Sequence, residues 1–230
     1  MSRRINALGA RFGTLVKQQV KYTWWDTDLD AFVAKRLRDP RPTKVQAIEW
    51  LAAEPLLGPT FSLLDVGCGP GVFAQMLHRS VLNERMRYTG VDQSDQALVH
   101  ARRTLPETYS FIRRDVLREG MPTGDFDVIA INEVVEHTPN YRDMIDAALA
   151  KQPKVLVITT FAVLPEQPKD RYLWNANYTC YMNTYSFNGF HQYLRESGRP
   201  LKIMDFGSET DETKEFPTKA MILFYLPSKR

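Results

Sequence analysis

From Phe61 onward, short runs of β-branched and apolar residues alternate with longer runs whose apolar positions recur every three or four residues. That alternation predicts strands and helices taken in turn, hence a parallel sheet with helices on both faces. Strands are expected at 61–66, 87–91, 109–113, 126–131 and 154–159, and helices near 71–81, 94–104, 140–150 and 187–197. Two more β-rich runs, Leu201 to Phe206 and Ala220 to Leu226, close the chain. Together they predict an α/β fold: a seven-stranded, mostly parallel doubly wound sheet with an antiparallel edge hairpin.

The residues before Phe61 carry a helical pattern only. Ile5, Leu8, Phe12 and Leu15 have helical spacing, and a Trp24-Trp25 pair follows. The acidic turn Asp26-Thr-Asp28-Leu-Asp30 caps a helix through about Leu37, and Asp39-Pro-Arg-Pro42 stops it. Val45, Ile48, Leu51 and Ala52 place one buried face on a helix between Thr43 and Leu57, after which Gly58-Pro59 turns into the first strand. The division expected is an N-terminal helical extension or lid over 1–57 and the α/β domain over 58–230.

Composition narrows the class without naming it. With 230 residues, 43% of them hydrophobic and 25% charged, the chain has the make-up of one compact domain with a modest extension. A net charge of +3 is too small an excess to argue for nucleic acid or an anionic membrane. Cys68 and Cys180 are the whole cysteine content, too few for a disulfide framework or a cysteine-held zinc or iron–sulfur centre, and they point to a reducing, cytoplasmic setting. The longest apolar stretch, near Val155 to Leu164, is too short for a membrane span. Arg3, Arg4, Arg11, Lys17 and Lys21 precede the first acid and carry an organelle-targeting reading; poverty in serine and the apolar spacing favour a helix packed on the domain. Asn177-Tyr-Thr179 matches a glycosylation sequon and is read as chance.

The chemistry begins at Asp65-Val-Gly67-Cys68-Gly69-Pro-Gly71, where the first strand passes into the first sheet helix. Glycines there permit a tight turn and a close backbone approach at an electropositive helix N-terminus. A dinucleotide loop requires Gly-x-Gly-x-x-Gly, and Val72 stands where its third glycine belongs, which argues against an oxidoreductase. Tyr88-Thr-Gly-Val-Asp92 ends the second strand in an acid, 21 residues beyond Gly71, the approximate separation at which a carboxylate accepts from ribose hydroxyls. Phe111-Ile-Arg-Arg-Asp115-Val116 ends the third strand in another.

In this Gly-x-Gly-x-Gly spacing with an acid two residues earlier, the chain resembles the class I, Rossmann-like S-adenosylmethionine-dependent methyltransferases, from about Phe61 to its C-terminus. The resemblance implies that Asp65 and the backbone of Gly67, Cys68, Gly69 and Gly71 hold the amino-acid end of S-adenosylmethionine. It implies likewise that Asp92, with Gln93, holds the ribose, and that Asp115 and Val116 hold the adenine. Asn132 and Glu133 follow the fourth strand and line the cofactor pocket under the same resemblance.

Asn132-Glu133-Val-Val-Glu136-His137 resembles the ExxEH run of some O-methyltransferases of ubiquinone biosynthesis and of enzymes that cap small RNAs. Transfer of a methyl from a sulfonium is an in-line displacement, helped most by holding nucleophile and carbon about 3–3.5 Å apart. A hydroxyl acceptor must also lose its proton, and His137 is the candidate base, oriented by Glu136 or Glu133. In a plainer reading Glu136-His137 only organises the loop. In a third, Glu133, Glu136 and His137 ligate magnesium or manganese, with His191 as the further donor to be found. His78 and His100 are read as surface or packing residues.

Thr160 to Tyr185 is a long segment holding Phe161, Tyr172, Trp174, Tyr178, Tyr181 and Tyr185, and with Trp24-Trp25 it offers a partly aromatic lid. Ser186 is placed as the cap of the helix that follows. The expected function is methyl transfer to a hydroxyl of a small molecule or glycan. The alternatives are an RNA methyltransferase using the charge of Arg102, Arg103, Arg113, Arg114 and Arg118, an N-methyltransferase, and a cofactor-binding partner subunit without chemistry.

Overall fold

The computed structural model describes residues 28–164, 167–176 and 180–196, and the backbone of 201–209 and 218–225. The expected first helix around Ile5 to Leu15, the Trp24-Trp25 pair, Tyr178 and the Asn177-Tyr-Thr179 sequence lie outside these described residues.

Two helices come first. Asp28 caps α1 (Leu29–Arg38), its Oδ1 accepting from the Ala31 N–H at 3.0 Å, and the last turn carries Lys35, Arg36 and Arg38. Pro42 opens α2 (Pro42–Ala53) at its first turn, where the missing N–H costs nothing, and α2 buries Thr43, Ala47 and Leu51. It ends at Ala53, short of the expected Leu57, because Pro55 starts a separate 3₁₀ turn.

The sheet is built from β1 (Phe61–Val66), β2 (Met86–Asp92), β3 (Ser110–Arg113), β4 (Val128–Asn132), β5 (Val155–Leu164), a two-residue β8 (Tyr185–Ser186), β9 (Leu201–Glu209) and β10 (Thr218–Tyr225). Its order is β3-β2-β1-β4-β5-β10-β9, with β8 alongside the end of β5. The expected count of seven is corrected: six strands pair in parallel, with β8 as the extra one, and β9–β10 adds the antiparallel edge hairpin. β8 escapes a sequence reading because two residues carry no period. A separate ribbon pairs β6 (Trp174–Asn175) with β7 (Cys180–Tyr181) inside the segment expected to be a long loop.

Helices α3 (Val72–His78), α4 (Asp95–Thr104), α5 (Val116–Glu119), α6 (Tyr141–Ala150) and α7 (Phe187–Glu196) complete the fold. α3 stops at His78 instead of 81, because Ser80 turns the chain, donating to the Leu77 carbonyl and accepting from the Leu82 N–H. α4 and α6 are capped by Ser94 and Asn140, and Ser186 accepts from the Gly189 N–H at the start of α7.

Alternation along the central strands explains the two cores. Val128 and Ala130 of β4 join Val155 and Val157 of β5, Leu63, Phe73 and Leu77 on one face. Ile129, Ile131, Leu156 and Ile158 join Tyr141, Ile145 and Phe190 on the other. A central parallel strand covered on both faces is apolar throughout, which is why β4 reads as an unbroken run. The chain leaves β1 in one direction toward β2 and β3 and in the other toward β4 and β5. That reversal opens a crevice at the carboxyl edge of the sheet, beside β1. Among the described residues no helix is long and apolar enough to cross a membrane.

Candidate active site

The crevice is a cavity of about 270 Å³. Its walls include Asp65, Gly67, Cys68, Gly69, Asp92, Gln93, Asp115, Val116, Asn132, Glu133 and His137. Two expected residues are absent from the wall. Gly71, at φ 89°, is the N-cap of α3 and packs toward α4, where an added Cβ would stand 2.8 Å from Leu105 Cδ1. Glu136 is buried behind the wall.

The glycine loop is locked to the acids that follow it. The Gly67 and Cys68 N–H groups both donate to the Val91 carbonyl, at 2.8 and 3.1 Å, and the Gly69 N–H donates to Asp92 Oδ2 at 2.9 Å. Gly67 sits at φ 70°, and a Cβ there would lie 2.5 Å from Val134 Cγ2, so only glycine fits. Asp92 also accepts from the Ser94 N–H at 2.8 Å and from the Gln93 backbone, so both of its oxygens are oriented by backbone donors. Burial raises its pKa against the backbone hydrogen bonds that lower it.

Asp65, at the end of β1, is fully buried and accepts from the Tyr88 hydroxyl at 2.8 Å and from Asn132 Nδ2 at 3.3 Å. Burial pushes its carboxyl up to about 6, with the Tyr88 and Asn132 hydrogen bonds pulling the other way. A carboxyl held in this state prefers a cationic partner. Asp115 caps α5 through the Leu117 N–H and pairs with Arg118 at 3.3 Å, while Val116 offers an apolar wall. A buried acid at β1, an oriented acid at β2, an acid with an apolar neighbour after β3 and a glycine cradle that a Cβ would fill suit an ammonium, a ribose and an adenine. The residues present therefore fit S-adenosylmethionine.

Glu133 stands just past β4, at φ 57°. Its two oxygens meet Arg41 Nε at 3.1 Å and Lys44 Nζ at 2.9 Å. Burial works to raise its pKa, but Lys44 and Arg41 outweigh burial and hold it below the usual glutamate value. The sequence reading missed both cations. The one signal was a lysine in the first turn of a helix, where the macrodipole disfavours positive charge.

His137 Nδ1 lies 2.9 Å from the Tyr181 carbonyl, which can only accept, so Nδ1 carries a proton. The contact at Nδ1 is thus to a backbone carbonyl of β7, where the sequence reading had Glu136 or Glu133 orienting the ring. Burial lowers the histidine's pKa, helped by Arg41 and opposed by the Tyr181 bond and Glu133. Glu136 Oε1 accepts from Thr160 Oγ1 and the Phe161 N–H, each at 3.5 Å, and the carboxyl also meets its own backbone N–H. Its Oε2 has no partner among the described residues, and burial pushes the carboxyl up to about 7.

The 3₁₀ turn Val135–His137 is held from outside by the segment after β5. The Asn183 N–H donates to the Glu136 carbonyl at 2.9 Å, Asn183 Nδ2 to the Thr138 carbonyl at 2.7 Å, and the Tyr185 hydroxyl to the Val135 carbonyl at 2.5 Å. His100 ties the glycine loop to α1, its Nδ1 3.0 Å from the Pro70 carbonyl and its Nε2 3.1 Å from Asp30. His78 bonds Asn83 at the surface.

Among the described residues no three His, Cys, Asp or Glu side chains are grouped to hold a metal ion. His191 stacks on Phe187 within α7 and is not part of the cavity wall. The arginines considered for RNA all have partners in the chain: Arg102 the Phe111 carbonyl, Arg103 Asp30, Arg113 Asp95, Arg114 the Glu119 carbonyl and Arg118 Asp115.

Comparison with known proteins agrees with this geometry. A family model described as a methyltransferase domain matches residues 63–156. A ubiquinone biosynthesis O-methyltransferase of Dechloromonas aromatica is 31% identical over 184 residues, covering 77% of this chain and 72% of that protein. One from Pseudomonas paraeruginosa is 28% identical over 205 residues, covering 85% and 82%. Among solved structures, magnesium protoporphyrin IX methyltransferase of Synechocystis PCC 6803 with bound S-adenosylmethionine superposes with a TM-score of 0.59 at 17% identity, covering 85% of this chain and 84% of that one. The glycine cradle, the acids at successive strand ends and these matches converge: the chain belongs to the class I S-adenosylmethionine-dependent methyltransferases.

Proposed function

We propose that the protein methylates a hydroxyl of a small molecule or glycan, with His137 as the proton acceptor. The observation that carries this reading is the hydrogen bond from His137 Nδ1 to the Tyr181 carbonyl, on a ring that faces the cavity. With the proton fixed on Nδ1 and the pKa lowered by burial, the ring is neutral near pH 7 and its lone pair is on Nε2. Both relatives near 30% identity are named for O-methyl transfer, which supports a hydroxyl over an amine.

In this account Asp65, with Asn132 and Tyr88 behind it, binds the cofactor's ammonium. Asp92 and Gln93 take the ribose, and Asp115 and Val116 the adenine. The cofactor supplies a methyl group on a sulfonium centre. As the O–CH₃ bond forms and the S–CH₃ bond breaks, the hydroxyl proton passes to His137 Nε2. Glu136 is a structural neighbour and not the partner of His137. We read residues 1–57 as a helical extension that lids the site, since Phe32 and Arg36 of α1, Arg41, and Lys44 of α2 line the cavity, and residues 58–230 as the methyltransferase domain.

The test is to supply methyl-labelled S-adenosylmethionine with fractionated metabolite and polysaccharide extracts and to locate the label by NMR. The label is expected in an O–CH₃ group. A labelled N–CH₃ product would overturn the hydroxyl reading.

A further inference from the structure

His100 lies on α4, 5% exposed, and has no part in the proposed methyl transfer. Its Nδ1 is 3.0 Å from the Pro70 carbonyl oxygen, in the glycine loop, and its Nε2 is 3.1 Å from Asp30 Oδ1, in the first turn of α1. A backbone carbonyl can only accept, and so can an ionised carboxylate. Arg103, 2.6 Å from the same Asp30 oxygen, holds that carboxyl below its usual value. A neutral imidazole has one N–H to give and would turn a lone pair toward the other oxygen. Both contacts are satisfied together only when the ring carries both protons.

Both ends of this bridge reach the cavity. Pro70 is part of its wall, and α1 puts Phe32 and Arg36 into the same wall. α1 also packs against α3, the helix that the glycine loop opens. Among the described residues, the charged groups that face His100 are Asp30 from α1 and Arg103 from its own helix. α3 brings the uncharged Gln75, which donates to Thr104 Oγ1, and that hydroxyl in turn donates to the His100 carbonyl.

Resting on the reading of this cavity as the cofactor site, we propose that His100 is a positioning residue whose doubly protonated ring latches α1 to the glycine loop and so slows release of the cofactor. A latch that depends on imidazolium loosens as pH rises and the ring gives up a proton.

The test is the rate at which tritium-labelled S-adenosylhomocysteine leaves the full chain under an unlabelled chase, at about pH 6 and about pH 9, in wild type, His100→Gln and Asp30→Asn. Both variants should release it about threefold faster than wild type at the lower pH and at nearly the wild-type rate at the higher one. Asp65 also titrates, but it does so in every variant and cancels in the ratio. Arg103→Gln leaves both His100 contacts in place and should keep the wild-type response. Hydrogen exchange of the α1 amides in the unliganded chain, corrected for the intrinsic effect of pH, should be slower at the lower pH in wild type and not in Asp30→Asn. Release ratios that do not change with pH, or α1 exchange that ignores it, would overturn the proposal. Wild type that binds no S-adenosylhomocysteine at either pH would overturn the cofactor reading along with it, so the two failures are told apart.

Discussion

Asn183 donates from Nδ2 to the carbonyl of Thr138 at 2.7 Å, joining the segment after β5 to the turn that presents His137. The same side chain accepts from the Leu173 N–H at 3.1 Å, and its own N–H meets the Glu136 carbonyl. Asn183 is 2% exposed and Thr138 4%, so the bond between them is shut off from water.

Asn183→Ala leaves the buried Thr138 carbonyl unpaired, at a cost of about 1–3 kcal/mol. A lower urea midpoint is expected together with reduced turnover. Affinity for S-adenosylhomocysteine should hold, because Asn183 touches none of the cofactor anchors. Unchanged stability would remove the clasp from this account.

Glu136 gives a stability prediction with a definite sign. Burial raises its carboxyl from 4.5 to about 7, above the value it takes in the unfolded chain. Its favourable neutral form is complete below about pH 4.5, and its contribution is lost as pH rises through about 7. Glu136→Gln fixes the neutral form. The variant and wild type should match near pH 4.5 and diverge by pH 8, with the variant the more stable in chemical denaturation. A variant less stable at pH 8 would show that the carboxylate is paired and not stranded.

Much of this site was legible in the sequence because its chemistry is carried by punctuation. Asp65, Asp92 and Asp115 each stand at or just past a strand's carboxyl end, where the β-to-α switch in periodicity marks them. The glycine run announces its turn. At Gly71 spacing alone cannot tell a glycine needed by a ligand from one that must clear Leu105 at the end of α4. Arg41 and Lys44 were hidden because a helix with a clear apolar face gives no hint of where its polar end points. The Tyr181 carbonyl is a backbone group, so no residue type could have signalled it. The β6–β7 ribbon and β8 are two residues long each and carry no pattern to read.

His137→Ala should lower turnover by about 10²–10⁴ while leaving the dissociation constant for S-adenosylhomocysteine nearly unchanged. In wild type the rate should rise with pH through a pKa below the ordinary 6.5, because burial depresses the histidine. A chelator is expected to leave the rate alone, since Glu133 already engages Arg41 and Lys44. Full turnover in the variant would make positioning alone the better explanation.

The assignment of the cavity rests most directly on Asp92. Calorimetry should show that the wild-type protein binds S-adenosylhomocysteine and not NAD, and that Asp92→Ala weakens the binding by roughly 2–4 kcal/mol, because two ribose hydroxyls lose a charged acceptor. Binding of NAD without a response to S-adenosylhomocysteine, or an unchanged dissociation constant in the variant, would contradict it.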